Sequence, residues 1–341
     1  MTKAISKKVK EYFRSSDLAK LSNFIFSETI PLEEFDKIKT NPLVIHSNSQ
    51  TITYINQSFS LEDGYIIFSK TDYVSILFKQ LKKSKVKNLI LITHQSDNKI
   101  NKVLYNKKPD AIKYWYSVNV SIEKPDLIPI PIGFANSHYI KNLNPEDYTK
   151  QNINTSREKS IYLNFNPNTN YLEREMIFKK YKNNKNFFIS PHNSSISDYK
   201  NDLERFKFVL CPPGNGIQTH RFWESLYFGA IPILKNHIYN KNFKRLNAIF
   251  VNDFKDLKIE ELDDKIINKE FDHRDIFKEY YDQIFLTRKT INNNNLYKYK
   301  ISKSELRLVA IKFKSIDLFN KLFKPLRAKF YKLIFLFFGK D

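Results

Sequence analysis

Six glycines in 341 residues is few, since average usage would supply about 24. Three of them, Gly214, Gly216 and Gly229, fall in one short stretch. Where backbone freedom is this scarce, such a cluster marks a place where the chain turns sharply or lies close to something. Cysteine is rarer still: the single Cys211 excludes a disulfide scaffold and a multi-cysteine metal site, and fits a reducing compartment. No stretch reaches the ~18 uncharged apolar residues of a spanning helix. The N-terminal segment is broken by Lys3, Lys7, Lys8, Lys10, Glu11, Arg14, Asp17 and Lys20, so no signal peptide is read there and the expected address is cytoplasmic. Acidic residues are outnumbered, 36 Asp plus Glu against 57 Lys plus Arg, which leaves a net charge of +21. What is plentiful is core-forming material, 41% hydrophobic and 15% aromatic, which excludes wholesale disorder. At this length two domains are expected.

The positive charge has two components. Lys is spread along the chain together with 35 Asn, a compositional background that requires no nucleic-acid partner. A nucleic-acid-binding protein is the alternative reading that +21 and the many aromatic residues raise, but it calls for a compact basic and aromatic patch with steep salt dependence. The dense component lies at the C-terminus, where Lys303 to Asp341 holds ten Lys or Arg against Glu305, Asp317 and Asp341. Leu318, Leu322, Leu326, Phe330, Ile334 and Phe337 recur there at spacings of three and four, forming one helical stripe interrupted at Pro325. A basic amphipathic tail over 301–341 suits the surface of an anionic membrane and a peripheral location. The same stripe would equally serve a C-terminal helix packed on the protein's own core.

The rest of the chain alternates strand and helix. Apolar runs at Leu43–His46, Tyr65–Phe68, Asn88–Thr93 and Leu127–Ile132, with a helix at Tyr73–Leu81, predict an N-terminal α/β domain over 1–140 with a largely parallel sheet. A polar linker is expected at 141–158. A second domain over 159–300 follows: strand Ser160–Asn164, helix Tyr171–Tyr181, strand Phe187–Ile189, helix Ser197–Arg205, strand Phe208–Cys211, helix Thr219–Phe228 and strand Ile231–Leu234. A strand at Ala248–Val251, a helix at Arg274–Lys289 and a loop at Asn292–Lys300 complete it. This order predicts a Rossmann-like domain that binds its ligand at the carboxyl ends of the strands.

The glycine cluster sits where such a ligand would bind. After a strand ending at Cys211, Pro212 and Pro213 prevent further pairing, and Gly214-Asn215-Gly216 gives a turn whose bare backbone can approach a ligand. The helix that follows directs its free N–H groups and positive dipole end to the same place, which suits a phosphate or pyrophosphate. His220 and Arg221 in its first turn oppose that dipole, so an anion that compensates both is expected. Glu224 lies one turn on, on the same face. The segment fits neither the phosphate-loop pattern nor the dinucleotide fingerprint, whose third glycine would fall at Thr219.

The run PPGNGIQTHRFWESLYFGAIPIL, Pro212 to Leu234, resembles the donor-site signature of the exostosin-like glycosyltransferases, a group that includes the ribitol xylosyltransferase type. IYLNFNPNTNYLER (Ile161–Arg174), LITHQSD (Leu91–Asp97) and IPIPIGFAN (Ile128–Asn136) resemble it further, in the right order, over roughly residues 88 to 252. The resemblance implies a GT-B fold: two Rossmann-like domains facing a cleft, the first for the acceptor and the second for a nucleotide-sugar. It further implies that Arg221 contacts the diphosphate and Glu224 the ribose. Asn164, Asn166, Thr169 and Arg174 would come to the donor from the first strand–loop–helix of that domain, beside Pro213, Gly214, Asn215, Gly216 and His220.

Transfer of a hexosyl or pentosyl group from a nucleotide diphosphate needs a stabilised leaving group and a base for the acceptor hydroxyl. In GT-B enzymes helix dipoles and cations generally meet the first need. The chain has no Asp-x-Asp triplet, which fits a metal-independent reaction with no cofactor beyond the donor. Retaining GT-B families often carry two glutamates eight apart, but Gly216 and Pro232 stand eight residues either side of Glu224, which favours inversion. Asp97, His94 and Asp63 are the candidate bases; Asp97 could instead begin a helix. The expected partners are a nucleotide-sugar, a glycan or lipid-linked glycan acceptor and an anionic membrane surface, with no nucleic acid. A catalytically silent sugar-nucleotide binder is the remaining alternative.

Overall fold

A computed structural model describes residues 13–38, 40, 42–136, 143, 147, 156–191, 194–263, 295–308, 310, 311, 315, 318 and 322. In chain order the first half carries α1 (Ser15–Leu21), β1 (Phe24–Pro31), α2 (Leu32–Phe35), β2 (Leu43–Ser47), β3 (Thr51–Ile55), β4 (Ser58–Leu61), β5 (Ile66–Lys70), α3 (Val74–Leu81), β6 (Leu89–His94), α4 (Lys102–Tyr105), β7 (Ile112–Ser117) and β8 (Leu127–Pro129). There follow β9 (Glu158–Leu163), α5 (Tyr171–Tyr181), β10 (Phe187–Ile189), α6 (Ile196–Arg205), β11 (Phe206–Leu210), α7 (His220–Tyr227), β12 (Ile231–Lys235), β13 (Ile249–Val251) and β14 (Tyr297–Lys300).

The first sheet has seven strands in the order β2-β3-β1-β5-β6-β7-β8. From β1 to β8 all neighbours run parallel, whereas β3 is antiparallel to both β1 and β2. The sheet is therefore mixed: of the runs read in the sequence, Tyr65–Phe68, Asn88–Thr93 and Leu127–Ile132 fall in the parallel part and Leu43–His46 in the antiparallel edge. β6 reads LILITH and is buried at every position, as a central parallel strand covered on both faces must be. Alternate side chains serve opposite cores. Ile66, Phe68, Ile90, Ile92 and Tyr116 pack with Phe13, Leu18 and Ala19 of the α1 region. Ile67, Leu89, Leu91 and Trp115 pack with Val74, Leu77, Phe78 and Leu81 of α3. Successive right-handed crossovers between neighbouring strands put α3 and α4 on one face, leaving the other to α1.

The second sheet is parallel throughout, in the order β10-β9-β11-β12-β13. Ile161, Leu163, Phe208, Leu210, Ile231 and Ile233 pack against Ile177 and Tyr181 of α5. On the opposite face Tyr162, Val209 and Leu234 meet Leu203 of α6 and Phe222, Trp223 and Leu226 of α7. The chain leaves β9 in one direction across the sheet and β11 in the other. A topological switch point therefore lies between the carboxyl ends of these two neighbours, where the loops diverge and leave a crevice.

Two differences from the sequence reading concern the first half. β1, β3, β4 and β7 escape it because Glu28 and Thr29 in β1, Thr53 in β3 and Lys113 in β7 interrupt their apolar runs or because, as in SFSL of β4, the strand is only four residues long. The loop expected at Asn292–Lys300 instead contains β14, which pairs antiparallel with β4. Its YKYK alternation has a low mean hydropathy but presents one tyrosine face, and Tyr299 stacks on Phe59 with ring centroids 4.9 Å apart. The segment read as 159–300 thus ends against the first half of the chain. The helix expected at Arg274–Lys289 and most of the 141–158 linker lie outside the described residues. The segment read as a tail begins inside the core, where Ile301 and Leu306 are buried and Glu305 pairs with Lys79 at 2.8 Å. Beyond it Leu308, Ile311, Leu318 and Leu322 are exposed, and Pro325 and all that follows lie outside the described residues. No helix among the described residues is long and apolar enough to cross a membrane.

Candidate functional site

The crevice at the switch point opens into a cavity of about 510 Å³ lined by Asn164, Asn166, Thr169, Arg174, Gly214, Asn215, Gly216, His220, Arg221 and Glu224, together with Asp97, Ile132, Ser194, Ser195, Ile196, Tyr199, Gln218 and Thr219. Every donor-site residue singled out in the sequence lines it except Pro213. The Pro213 carbonyl is instead taken by the Arg174 Nε–H at 2.9 Å and the Asn170 amide at 3.2 Å, so Pro213 shapes the loop from behind.

Arg174 binds the protein itself. Its guanidinium also donates to Asn166 O at 2.8 Å, Thr169 Oγ1 at 2.5 Å and Pro212 O at 3.0 Å, and it lies 5.2 Å over the Phe165 ring. It therefore ties the loop after β9 to the loop after β11, and both loops form the walls of the cavity. Burial, and then the like charge of Arg221, pull its pKa down to about 10, so it keeps its charge at neutral pH.

Arg221 is placed differently. Its Nε is buried and has no hydrogen-bond partner, and the Thr219 hydroxyl at the N-cap of α7 is in the same condition. Neither guanidinium forms an ion pair among the described residues. Buried polar atoms are almost always satisfied, and an exception calls for an explanation. Two cations, an orphaned hydroxyl and the positive end of α7 converge on one solvent-open cavity, and together they are complementary to an anion with several acceptor oxygens. Glu224 is buried one turn further on, where its Oε2 accepts the Tyr199 hydroxyl at 2.5 Å. Burial first, and then this carboxylate, hold the Tyr199 phenol well above its ordinary pKa, so it remains a donor. Burial likewise pushes the Cys211 thiol up to about 12, which removes it as a nucleophile.

Loops of the first sheet close the other side. The Asn119 side chain, at φ 54°, accepts Ile217 N–H at 2.8 Å and donates to Ser96 O at 2.9 Å, clamping the glycine loop against the loop after β6. A Cβ on Gly216 would lie 3.0 Å from Asn119 Oδ1 and 3.3 Å from Asp97 Oδ1, which is why the chain has glycine there. At Gly133, φ 67° is combined with a Cβ position 2.5 Å from the Phe13 carbonyl and ring, and the Gly133 carbonyl is free to accept His220 Nδ1 at 2.7 Å.

The three candidate bases separate. His94 is fully engaged: Nδ1 accepts Gln95 N–H at 2.7 Å and Nε2 faces the Pro131 carbonyl at 3.2 Å, so Nε2 carries the proton. Burial pulls its pKa down to about 3, and it has no free nitrogen to offer. Asp63 receives Lys87 N–H at 2.7 Å at the opposite, amino end of the sheet. Asp97 is exposed where the large cavity meets two more, of about 240 and 410 Å³. The first of these is lined by Ser15, His94, Phe134, Asn136 and His220, the second by His46, Lys70, Asp72 and Tyr73, among others.

Sequence reasoning missed Asn119, Gln218, Tyr199 and Gln95. Buried Gln218 accepts the Trp223 indole N–H at 3.2 Å and donates to Asn240 at 3.3 Å. Gln95 takes φ 55°, and its carbonyl accepts Lys70 Nζ at 2.6 Å. An asparagine just after an aromatic strand is the one signal available, because Asn tolerates the left-handed region.

No protein-family model and no curated protein matches the chain. Among solved structures it is similar to a glycosyltransferase from Rickettsia africae ESF-5, at 12% identity and a TM-score of 0.31, over 76% of this chain and 77% of that one. It is also similar to a GtfA/B complex, at 11% identity and a TM-score of 0.30, over 67% of this chain and 54% of the other.

Proposed function

We propose that the chain is a glycosyltransferase that moves a sugar from a nucleotide-diphosphate donor to a glycan or lipid-linked glycan acceptor. The observation that carries this reading is the pair of unsatisfied buried groups, Arg221 Nε and Thr219 Oγ1, at the head of α7 above the Gly214–Gly216 loop. They are positioned for the diphosphate, and developing charge on a departing diphosphate is what fixed cations and a helix end stabilise most effectively. Glu224, whose Oε2 already accepts the Tyr199 hydroxyl, offers its carboxylate as an acceptor for the nucleoside hydroxyls in the same cavity. The resemblance of Pro212–Leu234 to the exostosin-like donor signature supports the same assignment. On this reading the arrangement is GT-B-like, the second sheet holding the donor and the first presenting the acceptor, with Asp97 between them, and the reaction is inverting and metal-independent. The exposed Leu308, Ile311, Leu318 and Leu322, flanked by the basic C-terminal segment, would bring the enzyme to an anionic membrane surface where a lipid-linked acceptor is found.

Thermal-shift titration with UDP-, GDP- and CMP-sugars tests the donor assignment. A UDP- or GDP-sugar is expected to stabilise the wild-type chain and to leave Arg221→Ala unshifted; a shift with none of them, or with the monophosphate CMP-sugar alone, would refute the reading. Deleting residues 309–341 spares the buried Leu306 and is expected to abolish binding to phosphatidylserine-containing vesicles. Undiminished binding would reject the tail as an anchor.

A further inference from the structure

We infer that His220 is the general base, a role that rests on the glycosyltransferase reading above. His220 is the first residue of α7 and lines both the 510 Å³ cavity and the adjoining 240 Å³ cavity, so it lies between the space for the donor and the space left for an acceptor. Its tautomer is fixed. A carbonyl oxygen only accepts, so the 2.7 Å contact with Gly133 O requires the proton on Nδ1. The neutral ring therefore carries its lone pair on Nε2, which has no hydrogen-bond partner among the described residues. The backbone at Gly133 that supplies this carbonyl is one that only glycine can adopt without collision.

The other ionisable groups around His220 leave this role to it. On its own helix Arg221 and Glu224 face the larger cavity, the second with an oxygen committed to Tyr199 of α6, and α5 contributes Arg174, bound to backbone carbonyls. From the end of β6 and its loop come His94, with both nitrogens taken, and the exposed Asp97. In the transfer step the acceptor hydroxyl oxygen bonds to the anomeric carbon as the carbon–oxygen bond to the diphosphate breaks. The hydroxyl proton passes to Nε2, the bonding electron pair leaves with the diphosphate, and the imidazolium releases its proton to solvent afterwards. The imidazolium forms beside the departing diphosphate, which stabilises it.

The test uses the full chain and two readouts. Long-range proton–nitrogen NMR on histidine-labelled protein, with His220→Asn identifying the signal, is expected to report the Nδ1–H tautomer; the Nε2–H tautomer would overturn the assignment whatever the substrate. His220→Asn is also the informative kinetic variant, because its amide N–H can still donate to Gly133 O while Nε2 is lost. With the nucleotide-sugar that shifts the wild type most, His220→Asn is expected to bind within about two-fold, to release nucleotide to water or acceptor at least 100-fold more slowly, and to lose the acid limb of the pH–rate profile. Wild-type turnover or an intact acid limb in His220→Asn would overturn the proposal, as would loss of that limb in Asp97→Asn alone. Failure of the wild type to bind any nucleotide-sugar would count instead against the glycosyltransferase reading.

Discussion

Arg174 and Arg221 stand in the same cavity and are expected to respond oppositely to truncation. Arg174→Ala removes the donors to three backbone carbonyls and to the Thr169 hydroxyl, all in or beside the two cavity walls. A net contribution of about 1 kcal/mol per hydrogen bond, together with the acceptors left unsatisfied, puts the cost at about 3–5 kcal/mol. At about 2 °C per kcal/mol for a chain of this size, the apparent Tm should fall by roughly 6–10 °C. Arg221→Ala removes a buried Nε that has no partner and a cation that opposes the α7 dipole. The first costs on the order of 1–3 kcal/mol to keep and the second about 0.3–1 kcal/mol, offset by the packing of the side-chain stem. The Tm without ligand should therefore stay constant or rise. The two variants should also separate in the presence of the nucleotide-sugar that shifts the wild type most: a ligand at 100 times its Kd stabilises by about 2.7 kcal/mol, and Arg221→Ala should forfeit that gain entirely. Thermal melts by circular dichroism with and without that nucleotide-sugar decide the matter. A fall in Tm with Arg221→Ala as large as with Arg174→Ala would refute the division of labour between them, as would an Arg174→Ala protein that melts like the wild type.

Other outcomes follow from the same geometry. Gly216→Ala would press a methyl group to 3.0 Å from Asn119 Oδ1 and 3.2 Å from its Nδ2; spreading the two loops should cost about 1–3 kcal/mol and weaken nucleotide binding with the fold intact, as isothermal titration will show. Asn119→Ala leaves the buried Ile217 N–H without its acceptor and should lower Tm by the equivalent of about 1–3 kcal/mol while also reducing donor affinity. Glu28 on β1 is buried, and its pKa is raised to about 8 by burial and by Glu34. The folded chain then holds a proton that the unfolded chain releases near pH 4.5, so this group's contribution is complete at acid pH and is lost as pH rises toward 8. Glu28→Gln should therefore raise Tm at pH 8–9, leave it nearly unchanged at pH 4, and flatten the Tm–pH profile between; an unaltered slope would refute the burial argument.

How much could be read in advance differs between the two sheets for a physical reason. In the second, short apolar runs and helix-forming segments alternate between clear turn residues, so pattern alone gave Tyr171–Tyr181 and Phe187–Ile189 to the residue and brought the strand and helix flanking the glycine loop within two. In the first, β1 carries Glu28 and Thr29, and in the separate β4–β14 pair β14 is built from alternating tyrosine and lysine. These strands are held by cross-strand partners that no local window contains. Most of the residues that line the 510 Å³ cavity were legible because they fall in two contiguous segments, Asn164–Arg174 and Gly214–Glu224. Asn119, Tyr199 and Gln218 were not, because each acts through a residue at least five and as many as 98 positions away.

The amino-acid sequence by itself determined an α/β chain with a glycine loop at the head of one helix, because local periodicity and backbone freedom are properties of neighbouring residues. Only the tertiary structure decided what each charged group does there. Arg174 is consumed largely by backbone carbonyls and Arg221 Nε is left unsatisfied, although both were expected at the donor site. His94 is buried with both nitrogens bound, while His220, on the opposite sheet, is held by Gly133 with a nitrogen to spare. Protonation and hydrogen bonding depend on which atoms come within about 3 Å, and distance of that kind is set by how the loops at the strand ends meet in the folded chain.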